Sequence, residues 1–149
     1  MTKSKKISFQ DSYTNTEKPT IDIKKAIEFE PSRLTFNFSF ITRDRKYNFS
    51  SKGCNKNVKN NILDKIVRLS SESFVSILGW PREQGIERMP EPDVGISINP
   101  EFISSKRHAS CLEDLWVFRL SKHGRIIGKI QDKTFYVLAI DTTFDAYKH

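Results

Sequence analysis

Stretches with a readable hydrophobic period alternate along this chain with stretches that have none. Residues 1–32 are polar and weakly patterned, with Ile21, Ile23, Ile27 and Phe29 offering little to bury before Pro31. They read as a basic, extended arm with short strands at 7–9 and 27–29. From Arg33 the pattern changes: Leu34, Phe36, Phe38 and Phe40 alternate with Thr35, Asn37 and Ser39. That is the period of a half-buried strand. Residues 42–45 then predict a turn and 46–49 a returning strand. The result is a Phe-rich β-hairpin with Arg43, Arg45 and Lys46 crowded at its tip. Such a stripe faces the core of an antiparallel sheet; the competing reading is a stacking platform for bases.

A helical period follows. Val58, Ile62, Ile66 and Leu69 recur at helical spacing, Leu63 and Val67 widen the apolar face, and Asn55 or Asn57 supplies an N-cap. After the serines at 70 and 71, residues 73–78 predict a further turn or short helix that Gly79 and Pro81 end. Residues 79–110 hold four of the six prolines and little periodicity beyond Ile96 and Ile98. They predict a long irregular segment, whether lid, binding loop or plain connection.

The last 35 residues predict a three-stranded meander over 115–120, 125–130 and 134–140, with turns at 121–124 and 132–133. Alternation puts Trp116, Phe118 and Leu120 on one face and Arg119 on the other. On the next strand Ile126 and Ile130 stand opposite Arg125 and Lys129. Across the four-residue turn, Arg119 and Arg125 fall nearly opposite each other. Together the elements predict one α+β domain over 33–149. Its antiparallel sheet combines the hairpin and the meander and packs against one or two helices.

Composition narrows the class. A 37% hydrophobic share with eleven Phe supports a core and excludes a disordered chain. The longest apolar run, 135–140, is far short of the roughly 20 residues of a membrane span. No apolar segment follows the basic N-terminus to make a secretory signal. Cys54 and Cys111 form no CxxC pair, so a reduced, cytoplasmic protein is expected. Neither a phosphate-binding Gly loop nor an HExxH motif is present, so no metal and no cofactor is expected. Residues 1–60 carry 13 Lys and Arg against 6 Asp and Glu, whereas 61–149 carry 12 of each. A basic half of this kind suits a polyanion such as RNA, or an acidic protein partner.

The stretch Asp114 to His149, DLWVFRLSKHGRIIGKIQDKTFYVLAIDTTFDAYKH, is about a quarter of the chain. It resembles the C-terminal meander of the RelE/ParE-type toxin superfamily. There a Leu-Trp-x-x-Arg strand leads through a short turn into an Arg-led strand, a third apolar strand and a tail with Tyr or His. It is also similar to the ending of small proteins of bacterial mobile elements, where Gly-Arg-x-x-Gly precedes Phe-Tyr-Val-Leu and an Asp-Pro-x-His-x-x-Tyr tail. The resemblance implies RNA or the ribosome as target, an antitoxin as partner, and mRNA cleavage by a metal-independent endoribonuclease. It maps the catalytic positions onto Arg119, Arg125, Tyr147 and His149. Arg43, Arg45, Lys46, Lys122 and Lys129 are the expected nucleic-acid contacts, since guanidinium and ammonium groups bind phosphates.

The sequence departs from that pattern in three places. The family order is a strand, two helices and the meander, whereas the hydrophobic pattern here predicts a hairpin before the helix. Phe144 stands where the mobile-element tail has His, and Thr142 where it has Pro. The alternative is therefore a non-catalytic binding or inhibitor module that engages nucleic acid or an acidic protein.

Overall fold

The computed structural model describes residues 32–148; residues 1–31 of the expected 1–32 arm, with the strands expected there, and His149 lie outside the described residues. The described part is an α+β fold built on a five-stranded sheet, in the order β1-β5-β4-β3-β2. The expected meander forms its centre: β3 (Leu115–Arg119), β4 (Arg125–Gln131) and β5 (Thr134–Asp141) pair antiparallel. Gly124 joins β3 to β4 at φ 147°, a conformation that suits a residue without Cβ, and a Cβ here would also strike the Asp141 carbonyl oxygen. β2 (Ile86–Met89) adds antiparallel to β3, and β1 (Thr35–Asn37) adds parallel to β5.

The hairpin expected over 34–49 does not form. β1 takes its ladder from β5, and beyond it short polar side chains claim the backbone N–H groups. Asn37 accepts from Ser39 N at 2.8 Å, Asp44 from Lys46 N at 3.0 Å and Asn48 from Ser50 N at 2.8 Å. Such local bonds replace a second ladder, and Arg45–Tyr47 becomes a 3-10 turn. The turn at Ser39 also splits the Phe stripe. Leu34, Phe36 and Phe38 join one face of the sheet. Phe40 joins the other, 5.4 Å from the Phe102 ring.

The first of these faces is covered by α1 (Lys56–Ser71), capped by Asn55 Oδ1 on Val58 N at 3.0 Å, and by α2 (Phe74–Leu78), capped by Ser73. Val58, Ile62 and Leu69 pack on Phe118, Ile126, Ile130 and Phe135. Leu63 and Val67 do not widen this face: α1 lies on the sheet along 58, 62 and 69, which leaves them 61% and 66% exposed.

The second face is covered as well, which explains why β3 to β5 read as nearly continuous apolar runs. Its cover is the segment expected to be irregular. Besides β2, it holds a 3-10 turn at Glu91–Asp93 and two short helices, α3 (Pro100–Ser104) and α4 (Arg107–Ser110). Val94 and Phe102 pack from it onto Leu115, Val117, Ile127 and Leu138. Helices of five and four residues are too short to show a period. Among the described residues no helix is long and apolar enough to cross a membrane.

Candidate nucleic-acid interface

The β3–β4 register places Arg119 and Arg125 as direct Cα partners, both on the second face. They do not share an open anion site. Arg125 is 3% exposed, with its guanidinium over the Tyr147 ring at 3.9 Å and the Phe144 ring at 4.9 Å. Its Nη2 donates to the Phe144 carbonyl at 3.0 Å, and Asp141 Oδ2 lies 4.0 Å from its Nε. Arg125 is thus an internal, tail-holding residue, and its carboxylate partner is one strand away.

The tail closes over Arg125 because Asp141 organises it. Buried Asp141 accepts from Thr143 N at 3.1 Å and from Ala146 N at 3.1 Å, which folds 142–147 back onto the sheet. Phe144 bears the strain of this turn at φ 59°, an uncommon value for a bulky residue. The fold-back is anchored from outside by Asp145, which pairs with Lys46 and accepts from the Tyr47 hydroxyl at 2.9 Å. With Lys46 and Thr143 also bonded to it, the Asp145 carboxyl is held well below its ordinary range.

Glu87 of β2 was not singled out from the sequence. Its Oε1 accepts from the Tyr147 hydroxyl at 2.7 Å and pairs with Arg119 Nε at 3.4 Å, while Oε2 faces Arg82 at 3.8 Å. Glu87 shares the inward parity of Met89 in Ile-Glu-Arg-Met, and that was the available signal. Burial, then the bond to Glu87, pushes the Tyr147 phenol up to about 12 against the opposing pull of Arg125. Near neutral pH Tyr147 is therefore a hydrogen-bond donor, not a base. So three of the expected site residues meet in one cluster, but two of them, Arg125 and Tyr147, are spent on the interior. The fourth, His149, lies outside the described residues.

Beside this cluster a groove of about 310 Å³ opens between α1 and the β3–β4 turn. Lys65 and Arg68 line one wall and Arg119 and His123 the other, with Asp64 and Glu83 at the same opening. The cations are held in place. Lys65 Nζ donates to the Gln84 carbonyl, and Arg68 stacks on Trp80 at 4.7 Å and reaches Gln84 Oε1 at 3.4 Å. Burial, with Arg68 nearby, lowers the Lys65 ammonium below its ordinary value.

The expected nucleic-acid contacts divide. Arg45 and Lys122 are exposed. Arg43 pairs on the surface with Glu101 at 3.2 Å. Lys129 cannot serve as placed: it is 2% exposed and bonded to Glu91 at 2.9 Å and to the Leu112 and Glu113 carbonyls. Alternation sets Lys129 opposite Ile126, as expected, but the cover over the second face buries it. Among the described residues no three His, Cys, Asp or Glu side chains are grouped to hold a metal ion. Comparison with family models, with curated proteins and with solved structures gives no match to this chain.

Proposed function

We propose that the chain is a RelE-like protein that binds RNA, gripping the phosphate backbone with cations gathered at the β3–β4 end of its sheet. One observation carries this reading. The groove beside the β3–β4 turn gathers Lys65, Arg68 and Arg119, Lys122 stands exposed on the turn itself, and exposed Arg45 belongs to the 3-10 turn whose Lys46 and Tyr47 bond to Asp145 of the tail. The element order supports it too. With no hairpin, the described residues run strand, two helices, β2, two further short helices and then the meander, so the family's order recurs with β2, α3 and α4 inserted before the meander. Cleavage by an Arg119–Arg125 pair is not part of the proposal, because Arg125 is buried under the tail.

A second reading, an acidic protein partner, is favoured by Leu63 and Val67. They stand exposed on α1 one and two turns beyond the exposed Lys56 and Lys59. Titration of labelled single-stranded RNA into the protein decides between them. An Arg45→Ala/Lys122→Ala variant weakens RNA binding on the first reading. A Leu63→Asp/Val67→Asp variant leaves it intact. Absence of RNA binding at low salt removes the first reading.

A further inference from the structure

We propose that the groove between α1 and the β3–β4 turn is a single-nucleotide site that takes the terminal phosphomonoester of a ribonucleotide, whether free or at the end of an RNA chain. The inference rests on the RNA-binding reading and names the part of the ligand that the groove recognises.

Size is the first argument. A volume of about 310 Å³ sits at the small end of ligand sites, which run from about 300 to 1,000 Å³. That suits one nucleotide and not a run of backbone. The second argument is the split of charge. Lys65, Arg68 and Arg119 converge from a helix and a strand, each already oriented by a partner (the Gln84 carbonyl, the Trp80 ring and Glu87 respectively). Preordered cations lose little side-chain entropy on meeting a phosphate. A terminal phosphomonoester carries more negative charge than an internal diester, as its second ionisation falls near pH 6. It therefore gains most from cations gathered around one pocket.

The third argument is what the groove leaves unused. Among the described residues neither Asp64 nor Glu83 makes a hydrogen bond or an ion pair, and the His123 ring has no partner. Two idle carboxylates beside three cations, one of which Glu87 already offsets, disfavour a bare anion and suit a ligand that pairs a phosphate with hydroxyl donors. Carboxylates accept from ribose hydroxyls in just this manner at nucleotide sites. His123 stands on the β3–β4 turn, on the same wall of the groove as Arg119.

The test uses the full chain and one labelled single-stranded RNA made in three forms: 5′-phosphorylated, 3′-phosphorylated, and with hydroxyls at both ends. One phosphorylated form is expected to bind about tenfold more tightly than the hydroxyl form, the effect of roughly one charge-assisted contact. Free nucleoside monophosphate should compete for that increment at lower concentration than inorganic phosphate. His123→Gln and Lys65→Met should erase the preference between ends, with thermal melting checked for each. Asp64→Asn should narrow the preference of the site for ribose over deoxyribose monophosphate. Equal affinity for all three RNAs overturns the nucleotide site and leaves the RNA-binding reading standing. Binding of none of them takes both away.

Discussion

The Arg125 guanidinium lies 3.9 Å from the centre of the Tyr147 ring, beneath a tail that Asp141 folds back over it. Sequence alternation put Arg125 on the face opposite Ile126, and the tail then turned that face into interior. The residue expected to meet a phosphate instead meets two aromatic rings, the Asp141 carboxylate and the carbonyls of Phe144 and Tyr147.

Removing Arg125 should therefore cost stability more than binding. Arg125→Ala removes the buried counter-charge of Asp141, a change worth about 3–5 kcal/mol. Arg125→Lys should recover little of this, because an ammonium reproduces neither the planar stack nor the forked donors. Urea denaturation measures both. An Arg125→Ala protein with wild-type stability would show that the tail does not depend on this contact.

Acid should loosen the cover on the second face. Buried Lys129 reaches Glu91, which also bonds His108 Nε2 at 2.7 Å. Burial works against the Glu91 carboxylate, yet the bonds from His108 and Lys129 prevail and hold its pKa below the ordinary value. A carboxyl depressed in the folded state contributes stability above its unfolded value of about 4.3, and loses it as pH falls through the folded value. Stability measured from about pH 7 to about pH 3 should fall less steeply for Glu91→Gln than for the wild-type protein. Identical slopes would exclude Glu91 as the titrating latch.

Two phenylalanines on the first face should respond unequally. Phe118 is fully buried with its ring 4.7 Å from Phe135, so Phe118→Ala should cost about 3–5 kcal/mol. Phe38 is half-buried at the margin beside Phe49, and Phe38→Ala should cost about 1–2 kcal/mol. Thermal melts that rank the two variants in the opposite order would contradict the core described above.

Much of this fold was legible because its signals are local. The meander showed in short apolar runs separated by turn residues at Gly124 and Asp132, and α1 in its spacing and its Asn55 cap. What was hidden depends on distant partners. β1 pairs with β5, about a hundred residues away, so its pattern could not exclude a hairpin. Glu87 and Lys129 look like surface charges until the cover over the second face is known. For the site, the register of Arg119 against Arg125 was readable from the turn length. The groove was not, because Lys65 and Arg68 meet His123 only through the packing of α1.

The most direct test of RNA binding is the salt dependence of affinity for a single-stranded RNA. Each phosphate neutralised on a single strand contributes about 0.7 to the slope of log affinity against log salt. The wild-type protein should show a steep negative slope, and Arg45→Ala/Lys122→Ala should reduce its magnitude by about 1.4, two contacts' worth. A slope near zero, or one that the double variant leaves unchanged, would contradict the claim that these cations hold an RNA backbone.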